Sequence, residues 1–394
     1  MTAMSAQATV TDKTRQIQLR VVRSGRDLRE FIELPYRLYK GHPHWVPQLR
    51  LAQKELLNTK RHPFYKTADV EMFLATRGGR VAGRVMAIVN HAHNEFHGER
   101  AGFFGFFETE NDPEVCSMLL DNARDWLRAR GAEVMRGPVN PSTNYECGLL
   151  VEGLDSDPAV MMPYNPPYYG ELLEKYGLKK AVDLYAYAID QQSFQLSEKL
   201  RRVSERLKSR DGIRVRQVNL KNFRREVAAI RRIYNDAWSR NWGFVPVSEE
   251  EFEHLAKDLK QIVDPEIVYV AEQHREGDAE PRPVAFFLAV PDINRALKKV
   301  KDGRLLPFGL AKLLWHSRKI KAIRIITMGV IPEFQRLGIA AVLYEEVYRR
   351  GVAKGYQEGE MSWVLENNVL MNRAAELLGG RRSKTYRIYE MPVK

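Results

Sequence analysis

Val330-Ile331-Pro332-Glu333-Phe334-Gln335-Arg336-Leu337-Gly338-Ile339-Ala340 joins an apolar run to a helical pattern. Upstream, Ile323 to Val330 is rich in β-branched residues and short enough for a buried strand. Downstream, Ile339, Val342, Leu343, Val347 and Val352 recur at roughly helical intervals. The order is strand, turn, helix. At such a helix start the first backbone N–H groups lack an intrahelical acceptor and point outward with the positive end of the helix dipole, so a diphosphate satisfies them. Gly338 and Ala340 leave little bulk, which lets phosphates approach the main chain, and Gly338 relaxes the backbone where the turn is tight. Leu337 and Ile339 are expected to point into the core.

The rest of the chain sets the frame for that turn. Its 394 residues exceed what one core usually serves, which predicts two domains. No apolar run approaches the ~20 residues that span a bilayer. Met1 to Lys13 lacks an apolar signal-peptide core and reads as a loose tail. Cys116 and Cys147 are too few for a zinc site or a disulfide framework, so a cytoplasmic setting is expected. Lys and Arg outnumber Asp and Glu 62 to 50, a net charge of +12 that suits nucleic acid, an anionic membrane surface or an anionic cofactor. The basic residues are dispersed, without the aromatic-basic pattern of an RNA reader or a helix-turn-helix, so nucleic acid is the weakest of the three.

Two halves repeat one plan. The first reads as strand Ile17 to Val22, helix Gly25 to Tyr39, a hairpin of Val70 to Thr76 and Arg80 to Asn90, and strand Gly102 to Glu108. Helix Pro113 to Arg130, strand Glu133 to Arg136, helix Pro167 to Tyr176 and a closing strand Val182 to Ile189 follow. In the second half Ile213 to Val218, Phe223 to Trp238, Glu249 to Ile262, Ile267 to Ala271 and Pro283 to Val290 precede the turn. Between the halves, Leu196, Leu200, Val203 and Leu207 recur at helical spacing, which predicts an amphipathic linking helix.

Gln335 to Ala340 fits the Q/R-x-x-G-x-G/A turn of the GNAT superfamily of acyl-CoA-dependent N-acyltransferases, and the chain from about residue 212 to 394 resembles that superfamily. Gly359 to Leu365 looks like its fifth strand, Asn367 and Asn368 like the start of its fourth helix, and Gly379 with Gly380 like the turn before its closing strands, Lys384 to Met391. The resemblance implies an α/β protein of two tandem GNAT-like domains, each a mixed, mainly antiparallel twisted sheet flanked by helices. The first, 14–190, is degenerate: Thr109-Glu110-Asn111-Asp112-Pro113-Glu114 places acids where phosphate would sit, which suits a structural or acceptor-binding role. A helical linker, 191–211, leads to the second, 212–394, which carries the acyl-CoA site and an insertion at 291–321. Through Gly102 to Glu108, Gly137 to Asn144, Tyr164 to Tyr169 and Trp363 to Tyr389 the whole chain is also similar to double GNAT-like proteobacterial proteins, a group near the bacterial ceramide synthases.

The resemblance assigns acyl-CoA or acetyl-CoA as cosubstrate, its phosphates at Gln335, Arg336, Leu337, Gly338, Ile339 and Ala340. The thioester lies beside Met328, Gly329 and Val330, where a bulge in strand four offers a main-chain N–H to the carbonyl and the pantetheine arm lies in the splay between strands four and five. Thr327 and Met328 also read as ordinary half-buried strand residues. A general base must take the amine proton. Glu366, at the end of strand five, is the first choice, with Glu360 and Glu333 behind it; a cap or surface role suits Glu366 as well. Asn368 caps the fourth helix and in the family pattern also contacts pantetheine. Many members carry a tyrosine where this chain has Ala375, so the thiolate proton comes from water, from the substrate ammonium, or from Tyr386 or Tyr389.

Trp242 and Phe244, after the first helix of the second half, are read as acceptor-lining aromatics or as packing. Asn144, Tyr145 and Tyr168 are read as acceptor contacts or as turn chemistry, and the acceptor is expected to enter between the domains. The insertion, with its run from Leu305 to Lys321, combines bulky apolar residues, Trp315 and the charges Lys312, Arg318, Lys319 and Lys321, which fits either a packed helix or an interfacial one on an anionic, inner-membrane surface. His91 and His93 share a face if they lie on a strand, yet no third ligand accompanies them, and no metal is expected. The reading is an N-acyltransferase acting on a primary amine, with a long acyl chain and a sphingoid or other lipophilic acceptor suggested by the insertion. Acetyl transfer to a small amine or peptide terminus is the close alternative; a noncatalytic CoA- or lipid-binding module is the distant one.

Overall fold

Local chemistry fixes where the elements start. β1 (Ile17–Val21) runs into Ser24, whose hydroxyl accepts from the Asp27 amide while the Asp27 carboxylate accepts from the Ser24 amide, a reciprocal cap that opens α1 (Gly25–Leu38). This computed structural model describes residues 16–210, 212–275 and 280–393. The tail expected at Met1 to Lys13 lies outside them. Next come α2 (Arg50–Leu56), a 3-10 turn at Pro63–Lys66, the hairpin of β2 (Ala68–Arg77) and β3 (Arg80–Asn90), α3 (His91–His97), β4 (Ala101–Thr109) and α4 (Pro113–Arg128). Short strands β5 (Val134–Gly137), β6 (Val139–Asn140), β7 (Glu146–Cys147) and β8 (Leu149–Glu152) lead to α5 (Tyr168–Tyr176) and β9 (Lys179–Asp190).

The linking helix is α6 (Glu198–Arg210), followed by β10 (Ile213–Gln217), α7 (Phe223–Trp238), α8 (Glu249–Lys260), β11 (Val268–Gln273) and β12 (Arg282–Pro291). The insertion holds two helices, α9 (Asn294–Leu297) and α10 (Gly309–Ser317), before β13 (Ala322–Val330). A 3-10 segment at Pro332–Leu337 then gives way to α11 (Ile339–Ala353), β14 (Glu358–Leu365), α12 (Val369–Leu377) and β15 (Arg381–Pro392). The closing element is therefore one strand, not a pair.

The chain forms two compact units, Met1–Asp183 with Val300–Pro307 and Tyr386–Lys394, and Leu184–Lys299 with Phe308–Thr385. In the first, β1, β2, β3 and β4 pair antiparallel, β5 joins β4 in parallel, and β15 pairs antiparallel with β5 from Tyr389↔Gly137 to Pro392↔Val134. In the second, β10, β11, β12 and β13 repeat the antiparallel run, β14 joins β13 in parallel, and β9 pairs antiparallel with β14 from Leu365↔Leu184 to Glu358↔Asp190. Each sheet thus takes its sixth strand from the other half of the sequence. Val182 to Ile189, read as closing the first half, mostly pairs in the second unit, because the free edge of β14 accepts its ladder there.

Both sheets carry helices over apolar faces. In the first unit α4 lays Val115, Leu119, Leu120, Ala123 and Leu127 on the sheet, all fully buried. In the second, Phe286 and Phe287 alternate across β12: Phe286 meets Trp238 of α7 on one face, Phe287 meets Tyr344 of α11 on the other.

Candidate active site

Strand β13 is where the second sheet opens. Ile323 and Ile325 pair with Gly359 and Met361, and there the parallel ladder to β14 stops, whereas β12 stays paired with β13 through Val330. Leu288 faces Thr327 and Ala289 faces Ile325, so Ile326 is an extra residue that bulges β13 just past the last β14 pair. Gly329 is needed for contact: a Cβ there would lie 2.5 Å from Trp238 Cζ3 and 2.8 Å from Phe286 Cε1. Trp238 in turn stacks on Tyr234, their rings 4.9 Å apart, and Phe244 packs 5.8 Å from Tyr234. Phe244 is buried in this cluster, and Trp242 beside it is half-buried. Tyr234 and Trp238 were not singled out in sequence because a helical aromatic stripe looks the same whether it packs a core or a cleft.

The turn after β13 has Gly338 in the left-handed region, φ 85°, directly before α11. Gln335, Arg336 and Leu337 are exposed, Gly338 and Ala340 half-buried, and Ile339 fully buried. Leu337 therefore departs from the expectation that it points inward: the 3-10 winding turns its side chain to solvent, 43% exposed. Gln335 Nε2 donates to Val330 O at 3.2 Å and ties the turn to the strand. Glu333 pairs with Arg282 at 3.1 Å and is engaged at the surface. Helix α6 runs along α11, joined by Ser204 to Glu345, and a Cβ on Gly338 would overlap Val203 Cγ1. Glycine is thus required by its φ and by α6 packing as well as by any anion.

Past the splay, Asn368 Oδ1 accepts from Met371 N at 3.2 Å and caps α12. Asn372 Nδ2 donates to Leu365 O and Glu366 O, while its Oδ1 accepts from Tyr187 at 2.9 Å. These bonds hold the backbone of Glu366, which is half-buried at the end of β14. Sequence offered no sign of Tyr187, which reaches this turn from a strand of the other half. Glu360 is neutralised: Lys384 Nζ donates to one oxygen at 3.0 Å and Ser362 Oγ to the other at 2.8 Å, with buried Arg324 bonding Ser362. Each carboxylate oxygen thus accepts a hydrogen bond from within the protein. Ala375 is buried, and Tyr386 is fully buried in the first unit, as is Tyr389, whose hydroxyl donates to Glu174 and is pushed up to about 12 by burial.

A small apolar cavity, about 70 Å³, lies on the α11 side of the second sheet. Ile323, Ile325, Tyr344, Val347, Met361 and Leu378 are among its walls, so it sits beside the last paired residues of β13 and β14. Its lining is overwhelmingly apolar.

The corresponding places in the first unit are filled by its own chain. β4 and β5 pair only over Ala101 to Phe103, and β4 bulges against β3 beyond Gly105. The amide of Phe106, at φ 50°, donates to Asn140 Oδ1 at 2.6 Å, and Val139 O lies where a Cβ on Gly105 would be. At the start of α4 the Asp112 carboxylate already accepts from the Glu114 and Val115 amides. Tyr168 donates to Thr109 O at 2.8 Å, Tyr145 packs edge-on against Phe64, and the Asn144 amide donates to Ser142 Oγ.

His91 and His93 lie on a helix, α3, and not on a strand, so two positions apart they diverge around the axis. His91 meets Asp69 at 3.1 Å; buried His93 meets Glu99 at 2.6 Å. Among the described residues no group of three or more His, Cys, Asp or Glu is placed to hold a metal. Burial pushes the His93 imidazole down to about 4, against the push of Glu99 in the other direction. The unfolded chain binds that proton below about pH 6.5 and the folded chain does not, so stability is expected to fall by about 2 kcal/mol between pH 6.5 and 4. Urea titrations across that range check it, and His93→Gln should flatten the decline.

No family model matches the chain. Over 376 residues it is 41% identical to a Caulobacter vibrioides protein named Bacterial ceramide synthase, covering 94% of this chain and 96% of that one. Over 373 residues it is 34% identical to Protein YghO of Escherichia coli, covering 93% of each. A tandem GNAT protein from the clavulanic acid biosynthesis pathway superposes with a TM-score of 0.55 at 10% identity, covering 96% of this chain and 99% of that one. A GCN5-related N-acetyltransferase from Sphaerobacter thermophilus does so with 0.52 at 14% identity, covering 96% of each. These likenesses show the fold, two GNAT-like sheets in tandem.

Proposed function

The chain belongs to the family of the Caulobacter bacterial ceramide synthase, and from that premise we propose that it is an N-acyltransferase moving a long acyl chain from acyl-CoA to a lipophilic primary amine, such as a sphingoid base. The amine nitrogen attacks the thioester carbonyl, the C–N bond forms and the C–S bond breaks. The amine proton goes to Glu366 directly or through water, the thiolate is protonated from water, and Glu366 returns its proton to solvent, which balances the step. Main-chain donors at Met328 to Val330 face the developing oxyanion, a contribution of several kcal/mol that needs no special side chain. Gln335 to Ala340 hold the phosphates, with Arg336 the exposed cation of that turn. Asn368 borders the pantetheine arm.

The observation that carries the acyl length is the apolar cavity beside the opening of β13 from β14. Each buried methylene contributes ~0.8 kcal/mol, so a chain that fills such walls outcompetes acetyl by orders of magnitude. The first unit, its own slot filled by Val139 and Asn140, serves as structure or acceptor surface. Competition between acyl-CoAs of graded length tests the reading: rate per enzyme should climb with chain length and then plateau. A preference for acetyl-CoA would favour a small amine acceptor instead.

A further inference from the structure

Helix α10 is turned inside out. None of its nine residues is buried, and along it Leu310, Leu314 and Trp315 are 45%, 56% and 60% exposed. Phe308, just before it, is 70% exposed, and Leu306 is 79% exposed. At 100° per residue Leu310, Leu314, Ala311 and Trp315 form one continuous outward arc, while Leu313, His316 and Ser317 take the half-buried side. A helix resting on a domain normally puts its wider apolar arc inward. Here the more polar arc faces the protein. Over residues 300–321 there are six Lys or Arg, at 301, 304, 312, 318, 319 and 321, against the single acid Asp302. Lys312, Arg318 and Lys319 are exposed around the apolar arc, and the Lys319 ammonium lies 4.8 Å from the Trp315 ring centroid.

We propose that α10 and Phe308 form a docking face for an anionic lipid bilayer, entering at the level of the headgroups. Leu310, Leu314 and Phe308 reach the acyl boundary. Trp315, with an apolar ring and an N–H donor, sits where the medium changes. Lys312, Arg318 and Lys319 meet the phosphates of acidic lipids, which selects a bilayer over an uncharged apolar partner. No helix of the described residues is long and apolar enough to cross a membrane, so the attachment is peripheral. The proposal stands independently of the acyl transfer argued above, because it concerns the surface of the insertion alone.

Co-sedimentation of the full chain with phosphatidylcholine vesicles containing or lacking phosphatidylglycerol tests it without any substrate. Binding is expected on the anionic vesicles and weak on the neutral ones. Leu314→Ser with Trp315→Ser should lower the anionic-vesicle affinity by at least about tenfold. Lys312→Gln with Lys319→Gln should weaken binding and remove most of its salt dependence. Far-UV circular dichroism and the urea midpoint should stay at their original values, since the replaced side chains are exposed. Equal sedimentation of all variants would overturn the proposal. So would vesicle binding that is absent while gel filtration shows a dimer broken by Leu314→Ser with Trp315→Ser, which would assign the face to a second copy.

Discussion

Arg336→Glu is expected to lower CoA affinity by more than about tenfold in calorimetric titration, because one charge-assisted bond to phosphate is worth ~1.5–3 kcal/mol and a repulsion replaces it. The side chain is exposed on the 3-10 segment before Gly338, so the urea midpoint should barely move. Arg336→Gln should fall between the two, and its affinity should depend less on salt than that of the unaltered chain. The obvious alternative, a substitution at Gly338, is a poorer probe. Any side chain there meets both a positive φ of 85° and Val203 of α6, so lost binding would be inseparable from a displaced helix. Unchanged CoA affinity in Arg336→Glu would remove the phosphate assignment from this turn.

The second large effect concerns chain length. Ile325→Phe adds bulk to the cavity wall next to the last β13 to β14 pair, and should shorten the preferred acyl chain by several carbons. Excluding three or four methylenes at ~0.8 kcal/mol each predicts a fall of roughly 100-fold in the long-to-short ratio of kcat/KM. Acetyl transfer, which does not reach the cavity, should be spared. Equal losses for every chain length would mean that the substitution disturbs the splay and that the cavity is not the acyl slot.

Much of this arrangement was legible along the chain. The turn at Gln335 to Ala340, the strand before it and the helix after it follow from β-branched clustering, helical spacing and one glycine, and all three are where they were expected. The polar turn at Thr109 to Glu114 read as hostile to phosphate, and Asp112 indeed occupies the α4 amides itself. What the sequence did not reveal is partnership. A period of two tells which face of β9 or β15 is buried but not which sheet supplies the neighbour, so the exchange of sixth strands was invisible. Tyr187 behind Asn372 and Val203 against Gly338 were missed for the same reason, since each contact joins residues far apart in the chain. The histidines differ: the strand ends at Asn90 as its pattern predicts, but the helix that follows has no apolar period to announce it, and it starts because the Asn90 side chain accepts from the His93 amide.

Amide formation at the opening of the second sheet has a direct readout. It is tested most directly by incubating the protein with a long-chain acyl-CoA and a sphingoid amine, following free thiol release and the mass of the lipid product together. One thiol per new amide is expected, with release that requires the amine and loss of both in Arg336→Glu. Tight CoA binding with thiol release no faster than in buffer, across aliphatic and sphingoid amines alike, would contradict it.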